Sequence, residues 1–478
     1  MNIKEKVLSA LRWTVLARVT AQAVTWGITL VVIRLLAPAD YGLMAMSEVF
    51  FGLLLMLSDA GLGQALVQAK KVSDRQTRQL FGVLVLMSGT LFAVLFLAAP
   101  AIGAYYGKPQ VTDITRWLSM GFLLVPFITI PTALLERDID FKRKSLVELA
   151  AAVISAVVIL VLAYLGYGIW ALVSGRLLNL ALQVIGLNLI RPYFKIPLFS
   201  FGAARGLIKF GGLYTGTSVL WFVYSQADIL IAGRVLSEEL MGYYAVAMYL
   251  AAIASVKVMP LLNQVALPAY SRLQDDPSAV GYYFLKVVRV VAMITFPIFF
   301  GLAVVAPEFV HLILGEKYEG AILPIVLLSL AMPMRMISNL FPAMVYGRGR
   351  PGVEMGNTLF GLFVMPVAIL VGVQWGILGL CLAWLIGFPF VFGFQLRRSA
   401  AVAAVPPMAV LRATVPALVA SLLMTGAVLA VKHIPLAAVG QAVELALLVL
   451  AGGAAYVVVL RVSFRDRIRE FLGVVRSG

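Results

Sequence analysis

Two stretches of the chain, 200 residues apart, decide how we interpret its fold. Residues 34–46 read Arg-Leu-Leu-Ala-Pro-Ala-Asp-Tyr-Gly-Leu-Met-Ala-Met, and residues 234–246 read Arg-Val-Leu-Ser-Glu-Glu-Leu-Met-Gly-Tyr-Tyr-Ala-Val. At this offset Gly42 faces Gly242. The match is weak in identity but consistent in register, and it predicts an internal repeat.

The composition indicates that this repeat belongs to a membrane protein. Of the 478 residues, 62% are hydrophobic and 13% are charged, whereas soluble domains are about 45–50% apolar and about 25% charged. Because roughly 20 apolar residues cross a bilayer as a helix, hydropathy predicts about fourteen transmembrane helices. The expected fold class is an all-α polytopic membrane protein. A soluble enzyme, a disordered chain and a nucleic-acid-binding module are excluded as first interpretations.

The net charge of +16 is explained by membrane topology. We place 28 of the 38 Lys and Arg residues on the side of the N-terminus and six on the opposite side. Basic residues in short loops mark the cytoplasmic side of a membrane. We therefore expect both termini in the cytoplasm, with the basic loops against anionic lipid and no nucleic-acid partner.

The position of the repeat predicts the domain organisation. Six predicted spans separate the two copies, so both cross the membrane with the same polarity, as parallel repeats related by an axis along the membrane normal do. We expect an N-terminal lobe with spans 1–6 at residues 1–200 and a second lobe with spans 7–12 at residues 201–400. Residues 401–478 then hold an appended helix pair and a basic cytoplasmic tail. Two facing bundles are the usual basis of alternating access.

Several motifs resemble one family of transporters. They are Leu36-Ala37-Pro38-Ala39-Asp40-Tyr41-Gly42, Asp59-Ala60-Gly61-Leu62-Gly63-Gln64, Lys209-Phe210-Gly211, Gln226-Ala227-Asp228-Ile229, Met241-Gly242-Tyr243-Tyr244 and Leu267-Pro268-Ala269-Tyr270-Ser271-Arg272. In these motifs the chain resembles the Wzx-type oligosaccharide flippases, in the capsule and exopolysaccharide branch of the multidrug/oligosaccharidyl-lipid/polysaccharide (MOP) superfamily. The resemblance covers about residues 10–400.

This resemblance implies a V-shaped pair of six-helix lobes in the bacterial inner membrane. Such a protein is a transporter and not an enzyme. It moves undecaprenyl-pyrophosphate-linked oligosaccharide units from the cytoplasmic to the periplasmic leaflet for exopolysaccharide, capsule or O-antigen synthesis. The implied partners are the lipid-linked oligosaccharide, membrane lipids and the polysaccharide polymerase machinery.

Four basic residues fall within predicted spans, namely Arg18, Arg176, Lys257 and Arg335. Ionisable groups at membrane depth are costly and usually face a cavity or a partner. Arginine and lysine suit phosphate oxygens, so all four are candidates for binding a pyrophosphate in a central cavity. The resemblance favours Arg18 and Lys257, because it places their spans beside the central cleft. The alternative for each is an ion pair with a carboxylate, or snorkelling to the interface.

Other residues are candidates for coupling and for sugar contacts. Asp228, Glu48 and Glu354 could bind a coupling Na⁺ or H⁺, or pair with basic neighbours. The candidate sugar contacts are aromatic or amide side chains, and the alternative for the rings is an interfacial belt or helix packing. They are Trp26, Trp221, Tyr224 and Gln226.

A hinge is predicted at the cytoplasmic end of the second span, where Asp59 precedes Gly61 and Gly63. Glycine adopts backbone angles that other residues rarely reach. We therefore expect Asp59, Gly61 and Gly63 to interrupt the helix rather than to bind an ion.

Two other functions share parts of this pattern. A multidrug antiporter on the same fold would carry cationic drugs in an acidic and aromatic cavity, but four basic groups lie within the spans here. A membrane-embedded glycosyltransferase or polymerase would need catalytic carboxylates on a sizeable outer loop. We expect no ATP, because no Walker-type loop is present. A single cysteine and two histidines leave no basis for a metal site.

Overall fold

The protein is described by a computed structural model, and the described residues are 22, 24–59, 62–68, 72–200, 220–434 and 440–463. Across these ranges all regular secondary structure is helical. The chain divides into two compact units, Met1–Gly242 and Tyr243–Gly478. The predicted division at residues 200 and 400 stays a prediction.

The first unit contains nine helices of seven or more residues among its described residues. They are α1 (Val24–Leu35), α2 (Pro38–Asp59), α3 (Leu62–Gln68), α4 (Asp74–Tyr106), α5 (Pro109–Ser119), α6 (Val125–Arg137), α7 (Phe141–Tyr164), α8 (Ile169–Ile190) and α9 (Ala227–Val235). A 3₁₀ turn at Met120–Leu124 joins α5 to α6.

Helix α10 (Glu238–Arg272) begins in the first unit and continues in the second. The later helices of seven or more residues in the described part of the second unit are α11 (Pro277–Val304), α12 (Ile322–Ser338), α13 (Phe341–Gly347), α14 (Pro351–Gly372), α15 (Gly376–Leu382), α16 (Phe388–Val402), α17 (Pro407–Lys432) and α18 (Gln441–Ser463). Shorter turns cover Ala306–Phe309 (α), Val310–Leu314 (π), Glu316–Ala321 (3₁₀), Val373–Trp375 (3₁₀) and Ala383–Gly387 (π).

The helix boundaries follow from local sequence chemistry. Proline begins α5, α11, α14 and α17, where its missing N–H costs nothing and its fixed φ suits the first turn. Ser73 and Gln76 form a reciprocal capping box at the start of α4. At the other end of α4, Gly107 takes a φ of 66° and closes the helix, so that the chain turns back into α5.

Eleven helical ranges are long and apolar enough to cross a membrane among the described residues. One of them, Pro351–Val402, has 52 residues. Because a single crossing needs roughly 20 residues, this range holds two crossings, α14 and α15–α16, joined by the turn at Val373–Trp375. The polytopic helical fold is thus confirmed, whereas the count of fourteen spans stays a prediction.

The two segments that the sequence aligned as repeat copies meet where α2 and α10 begin, at Pro38 and Glu238, while the repeat itself stays a prediction. A Cβ placed on Gly42 would overlap the carbonyl oxygen of Glu238, and a Cβ on Gly242 would overlap that of Pro38. Residues 38–42 and 238–242 therefore pack backbone against backbone within the first unit. We call this the reciprocal glycine contact. Its reciprocity is what a two-fold axis between repeat copies requires.

An ion pair lies beside the reciprocal glycine contact. Lys108, in the turn between α4 and α5, pairs with Glu238. Nearby, the Tyr105 hydroxyl donates to the carbonyl oxygen of Leu230 at 3.0 Å. These contacts attach the end of α4 and the α4–α5 turn to α9 and to the start of α10.

The C-terminal helix pair, α17 and α18, packs against α11 within the second unit. The Tyr456 hydroxyl on α18 donates to the carbonyl oxygen of Met293 on α11 at 2.8 Å. At the end of α17, the Lys432 ammonium pairs with Glu308 at 2.8 Å and also donates to the carbonyl oxygen of Val304. Helices α11, α17 and α18 thus share one apolar cluster, which includes Val428 and Leu448.

Candidate functional site

The two basic residues that the sequence favours, Arg18 and Lys257, are not among the side chains that the structure describes. Arg18 lies outside the described residues, and Lys257 lies on helix α10 with a side chain that is outside the description. The pyrophosphate-binding role of both residues stays a prediction. The side chains of the other two candidates are described, Arg176 in the first unit and Arg335 in the second.

Arg176 is paired with an acidic side chain. Its guanidinium, on α8, lies 3.0 Å from the carboxylate of Glu48 on α2, and both side chains are about one-third exposed. The same guanidinium lies 5.6 Å from the ring centroid of the buried Phe51. The charge of Arg176 is therefore balanced inside the protein, and Glu48 is engaged as its counter-ion.

This pair nevertheless keeps hydrogen-bonding capacity. Glu48 Oε2 and Arg176 Nε are both buried and have no hydrogen-bond partner in the described part of the chain. The pair is neutral overall, but one acceptor and one donor within it are left unsatisfied. Such a site suits a neutral polar group, for example a hydroxyl, better than a phosphate.

Arg335 has a different environment. It lies half-buried in the last turn of α12, with its guanidinium 4.1 Å from the ring centroid of Trp384. One of its terminal nitrogens donates to the sulfur of Met248 on α10 at 3.5 Å. Among the described residues, no carboxylate forms an ion pair with it. Arg335 is thus a cation within a membrane-spanning range, with an aromatic partner and no counter-ion in the described part of the chain.

The packing around Trp384 fixes this geometry. Trp384 is 1% exposed and lies in the π-helical turn Ala383–Gly387 between α15 and α16. Its indole N–H donates to the hydroxyl of the buried Tyr244 on α10 at 2.8 Å. A π-turn inserts an extra residue into a helix and is frequent at functional sites. The ring is therefore held in one orientation against which the guanidinium stacks.

The candidate coupling carboxylates lie in separate environments. Asp228, in the first turn of α9, is 3% exposed and accepts a hydrogen bond from the backbone N–H of Ile229 at 2.9 Å. Glu354 lies in the first turn of α14 and accepts from the amide of the buried Asn357, whose own oxygen accepts from Arg398. The structure does not bring Asp228, Glu48 and Glu354 together, and the coupling role stays a prediction for each.

The candidate sugar contacts are spread along the first unit. The indole N–H of Trp26 on α1 is buried without a partner in the described ranges, whereas Trp221 is exposed. Tyr224 is half-buried, and Gln226 stands immediately before α9. The predicted hinge lies where α2 ends at Asp59 and α3 begins at Leu62, with Gly63 in α3 and Gly61 outside the described residues.

Sequence reasoning missed Trp384 and Tyr244, which orient Arg335. A signal was available, because tryptophan in membrane proteins is enriched at the two interfaces, whereas Trp384 falls in the middle of a predicted span. A tryptophan at such a depth indicates a specific partner for its N–H or its ring.

Comparison with known proteins gives the family. The profile of the family described as "Polysaccharide biosynthesis protein" matches residues 31–323. The chain belongs to this family. It is 26% identical to the lipopolysaccharide biosynthesis protein WzxC of Escherichia coli, over 81% of this chain and 79% of that protein. It is 22% identical to the succinoglycan biosynthesis transport protein ExoT of Rhizobium meliloti, over 78% and 76%.

Solved structures give the fold. The chain is similar to the lipid II flippase MurJ in an inward closed conformation, with a TM-score of 0.76 at 13% identity, over 95% of this chain and 99% of that one. It is also similar to an inward-facing multidrug resistance MATE family transporter of the MOP superfamily, with a TM-score of 0.60 at 16% identity, over 80% and 96%. The chain is thus a multi-pass membrane protein with the fold of the MOP superfamily.

Proposed function

We propose that this protein is a flippase, which is a transporter and not an enzyme. It moves a lipid-linked oligosaccharide across the membrane for polysaccharide synthesis. The family, the names of the polysaccharide-biosynthesis relatives and the fold of a lipid II flippase support this proposal. Transport runs from the cytoplasmic to the outer leaflet of the bacterial inner membrane. Both termini lie in the cytoplasm, in keeping with the basic residues on that side.

The observation that carries the proposed site is the unbalanced charge of Arg335. An arginine within a membrane helix costs up to about 2.5–3.5 kcal/mol on insertion scales, which is the value at the helix centre. Stacking on Trp384 returns about 0.5–2 kcal/mol, so the ring offsets only part of this cost. An anionic ligand offsets the rest, and the pyrophosphate linkage of the substrate supplies such an anion. The planar guanidinium, already oriented by the ring, suits two oxygens of one phosphate.

The contrast with Arg176 supports this assignment. Glu48 neutralises Arg176, so a phosphate would have to displace that carboxylate first. Of the two candidate arginines whose side chains are described, Arg176 and Arg335, we therefore propose Arg335 as the pyrophosphate contact. The Glu48–Arg176 pair serves as a structural pair in this proposal. Arg18 and Lys257 remain candidate partners of Arg335.

The multidrug antiporter is the second candidate, because the MATE transporter shares the fold. A cationic drug would be repelled by an unpaired arginine, and this repulsion favours the anionic substrate. If transport is ion-coupled, the buried Asp228 is our first choice for the coupling group, since it is the most deeply buried of the three candidate carboxylates.

Binding measurements test the site. The purified protein should bind a short-chain polyprenyl-pyrophosphate oligosaccharide, and Arg335→Gln should weaken binding about tenfold to a hundredfold, since a hydrogen bond to a charged group contributes about 1.5–3 kcal/mol. Arg335→Lys should bind with intermediate affinity, because it keeps the charge but loses the planar stack. Arg412→Gln is the matched control, because Arg412 is an exposed arginine on α17. Equal affinities for Arg335→Gln and Arg412→Gln would refute the assignment.

A further inference from the structure

A cavity of about 390 Å³ lies in the first unit, and neither Glu48 nor Arg176 lines it. It is bounded by three helices, α4, α5 and α8, and its lining combines aromatic rings with one cation and one anion. The lining residues are Phe96, Asp113, Arg116, Trp117, Met120 and Trp170. None of them is used by the proposed transport site.

Neither charge of this cavity has an ion-pair partner among the described residues. Arg116 lies with its guanidinium 5.4 Å from the Phe96 ring centroid, and its Nε is buried without a hydrogen-bond partner in the described part of the chain. Asp113 lies one turn earlier on α5 and is exposed. The two side chains do not pair with each other, and no other described residue forms an ion pair with either. The cavity therefore offers one positive and one negative group that remain separate.

The cavity lies near a boundary of the membrane. Trp170 is in the first turn of α8, and its ring meets that of Trp117 edge to face at 6.2 Å. Arg116 lies seven residues into α5, roughly 10 Å along the helix from the α4–α5 turn. Exposed tryptophans at this level are typical of the headgroup region.

The surface around the cavity is apolar. Leu97, next to Phe96 on α4, is 77% exposed, and Leu123 and Met120 are exposed on the turn that follows α5. Exposed apolar side chains within a membrane-spanning range contact lipid chains. We infer that these apolar side chains face the bilayer, so a ligand that carries acyl chains reaches the cavity from the membrane.

We propose that this cavity binds a zwitterionic phospholipid headgroup, with the phosphate on Arg116 and the ammonium on Asp113. The two unpaired groups match the two charges of such a headgroup in sign and number. The faces of Trp117 and Trp170 provide a second contact for the ammonium. Leu97 and Leu123 lie where the acyl chains continue. This lipid site goes beyond the proposed transport function and does not depend on it.

Native mass spectrometry of the purified, delipidated full chain tests the proposal. Phosphatidylethanolamine and phosphatidylglycerol with identical acyl chains are added back in turn. The first carries a phosphate and an ammonium, and the second carries only the phosphate. We expect phosphatidylethanolamine to bind about tenfold or more tightly than phosphatidylglycerol, because only the first can pair with Asp113.

Three variants assign the contacts. Arg116→Gln should weaken the binding of both lipids about tenfold or more, and Arg116→Lys should restore part of it. Asp113→Asn should abolish the preference for phosphatidylethanolamine while phosphatidylglycerol binding is kept. Arg234→Gln is the matched control, since Arg234 is an exposed arginine stacked 5.2 Å from the Tyr105 ring, and it should bind both lipids as the wild type does.

Several results would overturn the lipid site. They are equal binding of the two lipids by the wild type, unchanged binding by Arg116→Gln, and displacement of phosphatidylethanolamine by a soluble oligosaccharide. Melting curves of each variant show whether it is folded. If Arg116→Gln does not fold, Arg116→Lys still tests the contact. Because lipid binding is measured without transport, failure here is distinguishable from failure of the flippase proposal.

Discussion

The reciprocal glycine contact allows a quantitative test of the repeat. Gly42→Ala places a Cβ on the carbonyl oxygen of Glu238, and Gly242→Ala places one on that of Pro38. Both overlapped atoms are backbone atoms, so relief requires the starts of α2 and α10 to move apart. Overpacking of this kind costs about 1–3 kcal/mol. A glycine-to-alanine change within a helix otherwise gains about 0.5–1 kcal/mol. We therefore expect each variant to be about 1 kcal/mol less stable, the difference between the cost and the gain.

The double variant carries the sharper prediction. One separation of α2 from α10 relieves both overlaps, so the two costs should not add, as is usual for residues in one contact. Gly42→Ala with Gly242→Ala should be about as stable as either single variant. Unfolding by denaturing detergent in mixed micelles measures these differences.

Gly89→Ala is the matched control. Gly89 lies on the membrane-spanning helix α4, and a Cβ there meets no atom within 4 Å. This variant should be equal to the wild type or more stable by about 0.5–1 kcal/mol. Two results would refute the reasoning, namely a Gly42→Ala protein as stable as Gly89→Ala, or a double variant whose loss equals the sum of the single losses.

Three further predictions concern the ion pair, a helix cap and the topology. Glu48→Gln and Arg176→Gln should each lower the melting temperature, and the double variant should recover part of the loss. A double-mutant cycle should give a coupling energy of about 0.5–3 kcal/mol between the two residues. Additive losses would contradict the pairing. Hydrogen bonds from the Ser278 side chain and the Ala279 and Ser278 backbone lower the pKa of the exposed N-cap Asp276. Its contribution is therefore present above the ordinary aspartate pKa and is lost as pH falls through the lowered value. The melting-temperature gap between wild type and Asp276→Ala should thus close on acidification below about pH 4, and a gap that persists in acid would contradict the cap. Reporter fusions near residues 75, 140 and 345 should be cytoplasmic and those near 108, 236 and 436 external, and an external C-terminal reporter would overturn the topology.

The membrane fold was predictable from the sequence because it depends on local signals. Apolar runs of about 20 residues give helices by length alone. The offset of 200 residues aligns Gly42 with Gly242 and also aligns the helix starts at Pro38 and Glu238. The close approach of the two glycines was not predictable. An alignment of two segments shows that they are similar in sequence, but it does not show whether they touch.

The side-chain partners were beyond the sequence for a different reason. Glu48 and Arg176 were both singled out, but as a coupling group and an anion site rather than as one ion pair. Arg335 stacks on Trp384, which lies on a different helix. Such contacts depend on the rotation and crossing of helices that are far apart in the chain. Hydropathy reports how many residues are apolar, whereas it does not report which faces of two helices meet.

Reconstituted translocation tests the central proposal most directly. A pyrophosphate-linked oligosaccharide lipid is incorporated into proteoliposomes, and the fraction exposed outside is measured over time with a membrane-impermeant glycan-cleaving enzyme. We expect the wild type to translocate the lipid well above empty liposomes, and Arg412→Gln to do so at the wild-type rate. Arg335→Gln should be slower by about tenfold or more at subsaturating substrate, as the loss of a charge-assisted contact predicts. A wild-type rate equal to that of empty liposomes would contradict the flippase function, and an Arg335→Gln rate equal to the wild type would contradict the assignment of Arg335.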